Sequence, residues 1–491
     1  MSFSLNQNQT PLFTALKEVH SKKLIPFDVP GHKQGRGLRE FTDYVGQRVM
    51  ELDVNSMKCL DNICNPIGVI KEAEELAAYA FGADHGFFLV NGTTSGVQAM
   101  IMSACEPGDK IILPRNAHKS AVSALILSGA IPIYIQPEVD EKLGIAQGVS
   151  VEGVELAISR HPDAKAVFII NPTYYGATSN IKEIVKIAHR YAMAVLVDEA
   201  HGAHIGFHQE FPMSALELGA DMSAVSLHKT GGSLTQSSLL LLREGIIDPF
   251  TVRKNLNLMQ STSGSYLLMA SLDVARKQLV VEGEQMLSKV LQLTREARRE
   301  INGIPGLMAF GKELVGNPGV FDFDESKLGV HVRALGLTGF EVYDLLRDEY
   351  NIQVELADYY NILAIVSLGD TKESLDALVR ALGDIAEKHR RQEAIPLISS
   401  ILKNPDVIIS PRDAYYSSKR VVALEEAAGE ISGEAIMAYP PGIPVVSPGE
   451  RITREMIEHI KMLKAEETLV QGAEDPYVDY VRVLGLGLRT R

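Results

Sequence analysis

From about residue 70 to 245 the chain alternates between two textures. Short apolar runs, GFFLV (86–90), KIILP (110–114), IPIYIQ (131–136), AVFIINP (166–172), AVLVDEA (194–200), AVSLH (224–228) and SLLLL (238–242), have the length and β-branching of buried strands. Between most of them lie helical stretches such as VQAMIMSAC, VELAISRH and IKEIVKIAHRYA. Strands that alternate with helices, and that are apolar enough to be covered on both faces, predict an α/β fold with a mostly parallel seven-stranded sheet flanked by helices. In such sheets ligands lie beyond the carboxyl ends of the strands.

The stretch 271–301, SLDVARKQLVVEGEQMLSKVLQLTREARREI, is helical and long enough to link two domains. A second, smaller α/β pattern follows: LGVHVRAL, the helix FEVYDLLRDEY, the strand pair NIQVELA and YNILAIVSL, and the helix ESLDALVRALGDIAEKHRRQ. The pattern weakens around 391–412, and the rest reads as a C-terminal appendage. The predicted organisation is an N-terminal helix and lead (1–30), a large domain (31–270), a linking helix (271–301), a small α/β domain (302–390) and a C-terminal domain (391–491).

Composition narrows the function classes. The chain has 491 residues and a formal charge of -14, which argues against nucleic acid or an anionic membrane as the main partner and favours a cationic small molecule. Cys59, Cys64 and Cys105 fall into no paired metal pattern, and no apolar run has the length of a signal peptide or a membrane span. The expectation is a cytoplasmic protein.

The predicted strand ends carry chemistry that a sheet does not need. After FFLV come Asn91, Gly92, Thr93, Thr94, Ser95 and Gly96, then a helix: hydroxyls and free N–H groups where the helix dipole favours an anion such as phosphate, although a plain N-cap with a turn glycine reads the same way. After KIILP comes His118, able to stack on a flat ring or to carry a proton, or simply structural. AVLVD ends in Asp198, a carboxylate that needs a cationic or N–H partner if buried. His201, His204 and His208 have spacings that a metal would tolerate, but a helix there would have to accept two glycines, and no metal is expected. AVSLH runs into Lys229 and then Thr230, Gly231 and Gly232. A lysine held in low dielectric becomes nucleophilic and condenses with an aldehyde. Pyridoxal phosphate needs such a lysine, a carboxylate for its pyridine nitrogen and an anion site. Lys229, Asp198 and residues 93–95 supply all three in one order along the chain.

The chain resembles the Orn/Lys/Arg decarboxylases of the aspartate-aminotransferase fold (fold type I of the pyridoxal-phosphate enzymes), in their short Gram-positive form. The matching stretches include PGHKQG (30–35), FGADHGFFLVNGTTSG (81–96), PRNAHKS (114–120), INPTYYG (170–176), VDEAHGAH (197–204), SLHKTGGSLTQSS (226–238), STSGSYLLMASLD (261–273), VELADYYNIL (354–363) and YPPGIPVVSPGE (439–450). Three features depart from the family: Asp61 to Pro66 reads DNICNP where relatives usually carry a histidine-containing segment, Gly264 stands where many have proline, and the long N-terminal receiver-like wing of the enterobacterial enzymes is not expected, so their decamer is not assumed.

The resemblance implies a carbon-carbon lyase that removes the α-carboxylate of a basic amino acid with pyridoxal 5'-phosphate. Arginine is the first expectation, giving agmatine for polyamine biosynthesis; lysine or ornithine, giving cadaverine or putrescine, is the alternative, and an aminotransferase or aldolase of the same fold is a more distant one. It implies that Lys229 bonds the cofactor, that Asp198 faces the pyridine nitrogen, and that His118 and Ala200 pack on the two ring faces with His201 nearby. Thr93, Thr94, Ser95, Ser226 and His228 would hold the phosphate. Ser261, Thr262 and Ser263 would reach it from a neighbouring subunit, making a homodimer or a higher homo-oligomer with shared sites. His228, Lys229 or a neighbouring polar residue would then protonate the α-carbon, and the sequence does not choose between them. For the substrate's cationic tail the candidates are Glu355, Asp358 and Glu434.

Overall fold

The computed structural model describes residues 5–396, 404–439, 443–465 and 469–485. The chain forms two compact units, each built from two stretches of sequence: 1–103 with 197–288, and 104–196 with 289–491.

The seven predicted strands are present as β1 (His85–Leu89), β2 (Lys110–Pro114), β3 (Ile131–Ile135), β4 (Ala166–Ile170), β5 (Ala194–Asp198), β6 (Met222–Val225) and β7 (Ser238–Leu242). They form one sheet in the order β1-β7-β6-β5-β4-β2-β3. β2 runs parallel to both β3 and β4, whereas β7 runs antiparallel to both β1 and β6. The reversal has a local cause. The connection from β6 to β7 holds a single helical turn, too short for the crossover helix that a parallel return requires. β5, β6 and β7 are buried along their whole length, as strands covered on both faces must be.

Three helices follow strand ends: α1 (Gly92–Ala104), α2 (Lys119–Ser128) and the short α3 (Leu227–Thr230). Gly92 has φ +69°, which lets the chain turn sharply from β1 into α1. The sequence predicts a strand over 224–228, but β6 stops at Val225, Ser226 stands at the N-cap position of α3 without a side-chain capping bond, and His228 and Lys229 sit on that helical turn. The predicted linking helix is observed as α4 (Tyr266–Asn302), begun earlier than expected.

In the second unit an antiparallel sheet of β8 (Met308–Phe310), β9 (Lys327–His331), β10 (Leu356–Ala357) and β11 (Asn361–Ile365) has the order β8-β9-β11-β10. It includes the strand pair expected around 352–368. The predicted helices are Gly339–Tyr350, opened by a capping box between Thr338 and Glu341, and Lys372–Lys388. Towards the C-terminus, Lys419–Ala423 pairs with Tyr480–Leu484, and Ile436–Tyr439 lies between Ile443–Val446 and Leu469–Gln471. These strands share a core that includes Ile436, Val446, Ile460 and Val483. Residues 440–442 of the YPPGIP stretch lie outside the described residues. Among the described residues no helix is long and apolar enough to cross a membrane.

Candidate active site

Lys229 Nζ lies 2.9 Å from Nε2 of His201, which is itself buried. An ammonium can only donate, so His201 accepts at Nε2. The same ammonium acts on Asp198, at the carboxyl end of β5. Burial pushes the Asp198 carboxyl above its ordinary range, against the pull of Lys229 and of the Ala200 backbone N–H, which donates to Oδ1 at 3.1 Å. A carboxylate that has lost its water and is only partly compensated demands a further cation or proton. Asp198 and Lys229, 31 residues apart in sequence, therefore belong to one cluster.

Behind Asp198, Glu199 is 2% exposed. Its Oε1 accepts the Ala215 N–H at 2.8 Å and its Oε2 accepts the Ser223 hydroxyl at 2.6 Å. Burial raises this carboxyl to about 7 despite both donors. Glu199 thereby ties the 199–215 loop, which carries His201, to β6, which leads to Lys229.

A second cluster gathers hydroxyls from three separate segments. Thr93 Oγ1 is hydrogen-bonded to Ser226 Oγ and donates to Ser238 Oγ at 3.0 Å. All three residues are buried. The Ser95 hydroxyl donates to the Gly92 carbonyl, and Thr94 is exposed. α1 begins here, so its first-turn N–H groups have no carbonyl within their own helix. Hydroxyls together with open N–H groups at a helix N-terminus form a cradle for an oxyanion. His228 Nδ1 donates to the Ser237 carbonyl at 3.0 Å, so the ring proton sits on Nδ1.

One unit thus holds an amine beside a histidine, a desolvated carboxylate and a hydroxyl cradle. These residues fit pyridoxal phosphate: Lys229 for the aldehyde, Asp198 for a protonated ring nitrogen, and Thr93, Ser95 and Ser226 for the phosphate. Ser238 was not foreseen; a serine opening an apolar strand gives little signal on its own. Of the three histidines spaced for a metal, His201 contacts Lys229, His204 packs edge-on against Phe211 with ring centroids 4.8 Å apart, and His208 packs on the same ring with its Nε2 2.9 Å from Ser288 Oγ.

The remaining predicted residues have surroundings of their own. Ser261, Thr262 and Ser263 are exposed in the single chain. His118, in the other unit, caps α2 by accepting the Ser120 N–H at Nδ1. Asp358 accepts the N–H groups of Tyr360 and Asn361, the Asn361 side-chain amide and the Tyr175 hydroxyl; burial nevertheless raises it to about 6. Glu434 accepts the backbone N–H groups of Glu474 and Arg482. Glu355 is exposed. Asp61, in the stretch that departs from relatives, gathers the N–H groups of Asn62, Ile67, Gly68, Ile70 and Lys71; burial works to raise its carboxyl, and these donors together bring it below the usual range.

Comparison with known proteins identifies the family. Residues 10–330 match the Orn/Lys/Arg decarboxylase major domain and 397–475 match the Orn/Lys/Arg decarboxylase C-terminal domain. The chain is 46% identical over 485 residues to an arginine decarboxylase of Bacillus anthracis, covering 98% of both chains. It is 46% identical over 483 residues to an arginine decarboxylase of Bacillus subtilis (strain 168), covering 98% of this chain and 99% of that one. Among solved structures, the Francisella novicida lysine decarboxylase LdcF superimposes with a TM-score of 0.84 at 22% identity, over 97% of this chain and 81% of that one, a likeness of fold.

Proposed function

The chain belongs to the Orn/Lys/Arg decarboxylase family, and on that premise we propose that it removes the α-carboxylate of L-arginine as carbon dioxide and leaves agmatine. The observation that carries the reading is the convergence of Lys229, His201 and the desolvated Asp198 carboxylate. Likeness to arginine decarboxylases along nearly the whole chain favours arginine among the basic amino acids.

Pyridoxal phosphate, when bound, supplies an electron sink for the pair left behind as carbon dioxide departs. The chain's own residues do the rest. Lys229 would supply the amine for the cofactor's aldehyde, with His201 Nε2, which accepts from that amine, to aim it. Asp198 would keep a proton on the ring nitrogen, a task suited to a carboxylate with little water. Thr93, Ser95 and Ser226 would anchor the phosphate. His118 and Ala200 are the residues that would pack against the ring. His228, whose Nδ1 donates to the Ser237 carbonyl, and Lys229 are candidates to protonate the α-carbon.

For the guanidinium tail, Glu355 is the acid to test first, since Asp358 and Glu434 are engaged by backbone donors of their own surroundings. Ser261, Thr262 and Ser263, exposed in one chain, would complete the phosphate site of a second copy, which makes a homodimer the smallest active form. A cytoplasmic setting, with the amine feeding polyamine synthesis, belongs to the same proposal.

The test is an amine-release assay on the purified protein with added pyridoxal phosphate, using arginine, lysine and ornithine side by side. Agmatine and carbon dioxide from arginine, both lost in Lys229→Ala, are expected. Amine from lysine or ornithine alone would move the substrate assignment; a keto acid in place of carbon dioxide would overturn the reaction.

A further inference from the structure

Glu199 gathers the chain at the end of β5. Its backbone N–H donates to the Ala224 carbonyl of β6 at 3.0 Å, and its own carbonyl accepts the Gly202 N–H at 2.8 Å. The second bond closes a turn over 199–202 that holds Ala200 and His201, and the Ile205 N–H extends it by donating to the Gly202 carbonyl at 3.0 Å. The side chain adds two anchors beyond the turn. Oε1 accepts the Ala215 N–H at 2.8 Å, and Oε2 accepts at 2.6 Å from the hydroxyl of Ser223, a fully buried residue of β6. One residue therefore fastens the turn, the far end of its loop and the neighbouring strand.

From Ser223 to Lys229 the path is short. β6 ends at Val225, and the Lys229 N–H donates to the Ser226 carbonyl at 3.0 Å, which fixes the helical turn that carries the amine. Lys229 Nζ then lies 2.9 Å from His201 Nε2. The two partners stand beyond different strands, so their contact lasts only while the 199–202 turn keeps its place on β6. Hydrogen bonds weaken steeply as they bend, and a group displaced by about 1 Å from its reacting position loses far more than one contact. Both Glu199 oxygens accept from neutral donors, so what this side chain supplies is direction.

We propose that Glu199 is a positioning residue for the Lys229 amine: by fastening the 199–202 turn to Ala215 and Ser223, it holds His201 Nε2 where that atom accepts from the amine. The inference rests on the reading of Lys229 as the residue that bonds pyridoxal phosphate.

The test is a double-mutant cycle on the full-length protein with Glu199→Ala, His201→Ala and the pair together, and with Glu199→Gln alongside. The readouts are the cofactor dissociation constant and the rate at which the bound cofactor's visible band appears on mixing, both measured without substrate. Melting temperature of the cofactor-free protein follows, then kcat and KM separately. Glu199→Ala is expected to weaken cofactor binding and slow the band roughly tenfold, the scale of coupled side chains, and to lower kcat with little change in KM. In the His201→Ala background the same substitution should cost no more than about twofold. Glu199→Gln, which keeps both contacts, should rescue most of the alanine variant's loss in both binding readouts. Equal losses in both backgrounds, a glutamine variant as impaired as the alanine one, or a lowered melting temperature with band and affinity unchanged, would overturn the proposal. If His201→Ala itself leaves affinity and band unaltered, the role given to His201 fails, and the inference with it. Absence of a visible band in the natural protein would overturn the reading of Lys229 and the inference together, whereas absence of amine product while the cycle holds would sink the substrate reading alone. Should Glu199→Ala not fold, Ser223→Ala, which removes one of the two anchors, enters the same cycle with the same two outcomes.

Discussion

Glu199→Gln separates the burial of a charge from the bonds that accompany it. Glu199 is 2% exposed, and its oxygens take one backbone N–H and one hydroxyl. A glutamine in the same place keeps a carbonyl oxygen for Ala215 and turns its amide N–H towards the Ser223 oxygen, so both contacts survive. Burial moves the carboxyl from 4.5 to about 7, which corresponds to roughly 3 kcal/mol between its protonated and ionised forms. Because the folded value lies above the unfolded one, the native state holds the extra proton, and stability from this group is complete below pH 4.5 and is lost as pH rises through about 7. Glutamine does not titrate. The variant should therefore match the natural protein near pH 5 and exceed it by up to roughly 3 kcal/mol near pH 8. For a cooperative unit of a couple of hundred residues, that is about 6–12 °C in melting temperature. The assay is thermal unfolding of both proteins, without cofactor, in half-unit steps of pH. A difference that does not vary with pH, or a glutamine variant that is less stable at pH 8, would refute the reasoning.

Glu74 is 1% exposed, accepts the Phe88 N–H at 3.0 Å and is paired with Arg253. Glu74→Ala leaves that guanidinium without its counter-charge and should cost about 3–5 kcal/mol, read by chemical denaturation; a loss below about 1 kcal/mol would show that water reaches the pair. For the shared site, Lys229→Ala should be inactive and a Ser261→Ala/Thr262→Ala double variant weakly active alone. Mixed after dissociation, they should recover roughly a quarter of the natural rate, through heterodimers that carry one intact site; no recovery would place 261–263 outside the partner's site. Glu355→Ala should raise KM for arginine by roughly 10- to 100-fold, as expected for a lost charge-assisted contact, with the cofactor band unchanged. A fall in kcat at constant KM would take Glu355 out of tail recognition.

How much of this was legible in the sequence depends on whether the signal was local. Buried strands such as AVFII and SLLLL show themselves by uninterrupted apolar runs, and the seven-stranded sheet follows from them. The closeness of Lys229 and Asp198 was legible because each stands beside such a run and parallel strands bring their carboxyl ends to one edge. What escaped was set by geometry at a distance. The end of β6 at Val225 depends on how Ser226 and the glycines beyond Lys229 turn the chain, which apolar content does not encode. Ser238 meets Thr93 across 145 residues, and nothing near either residue announces the other. Asp358 looked available for a substrate's cation because its sequence context cannot show that Tyr175 and Asn361 would surround it. Glu450 lies in a matched motif, yet its partner Arg115 is 335 residues away.

Each of the two units closes only when a later stretch of polypeptide joins an earlier one: residues 197–288 return to 1–103, and 289–491 return to 104–196. During synthesis, therefore, the Thr93 half of the anion cradle leaves the ribosome well before Ser226 and Lys229 exist, and must wait for them. Neither unit can be released whole by a single proteolytic nick or expressed as an uninterrupted gene fragment, and a shortened clone that stops before residue 288 lacks part of both. Exchanging parts with a relative would mean transplanting two segments at once.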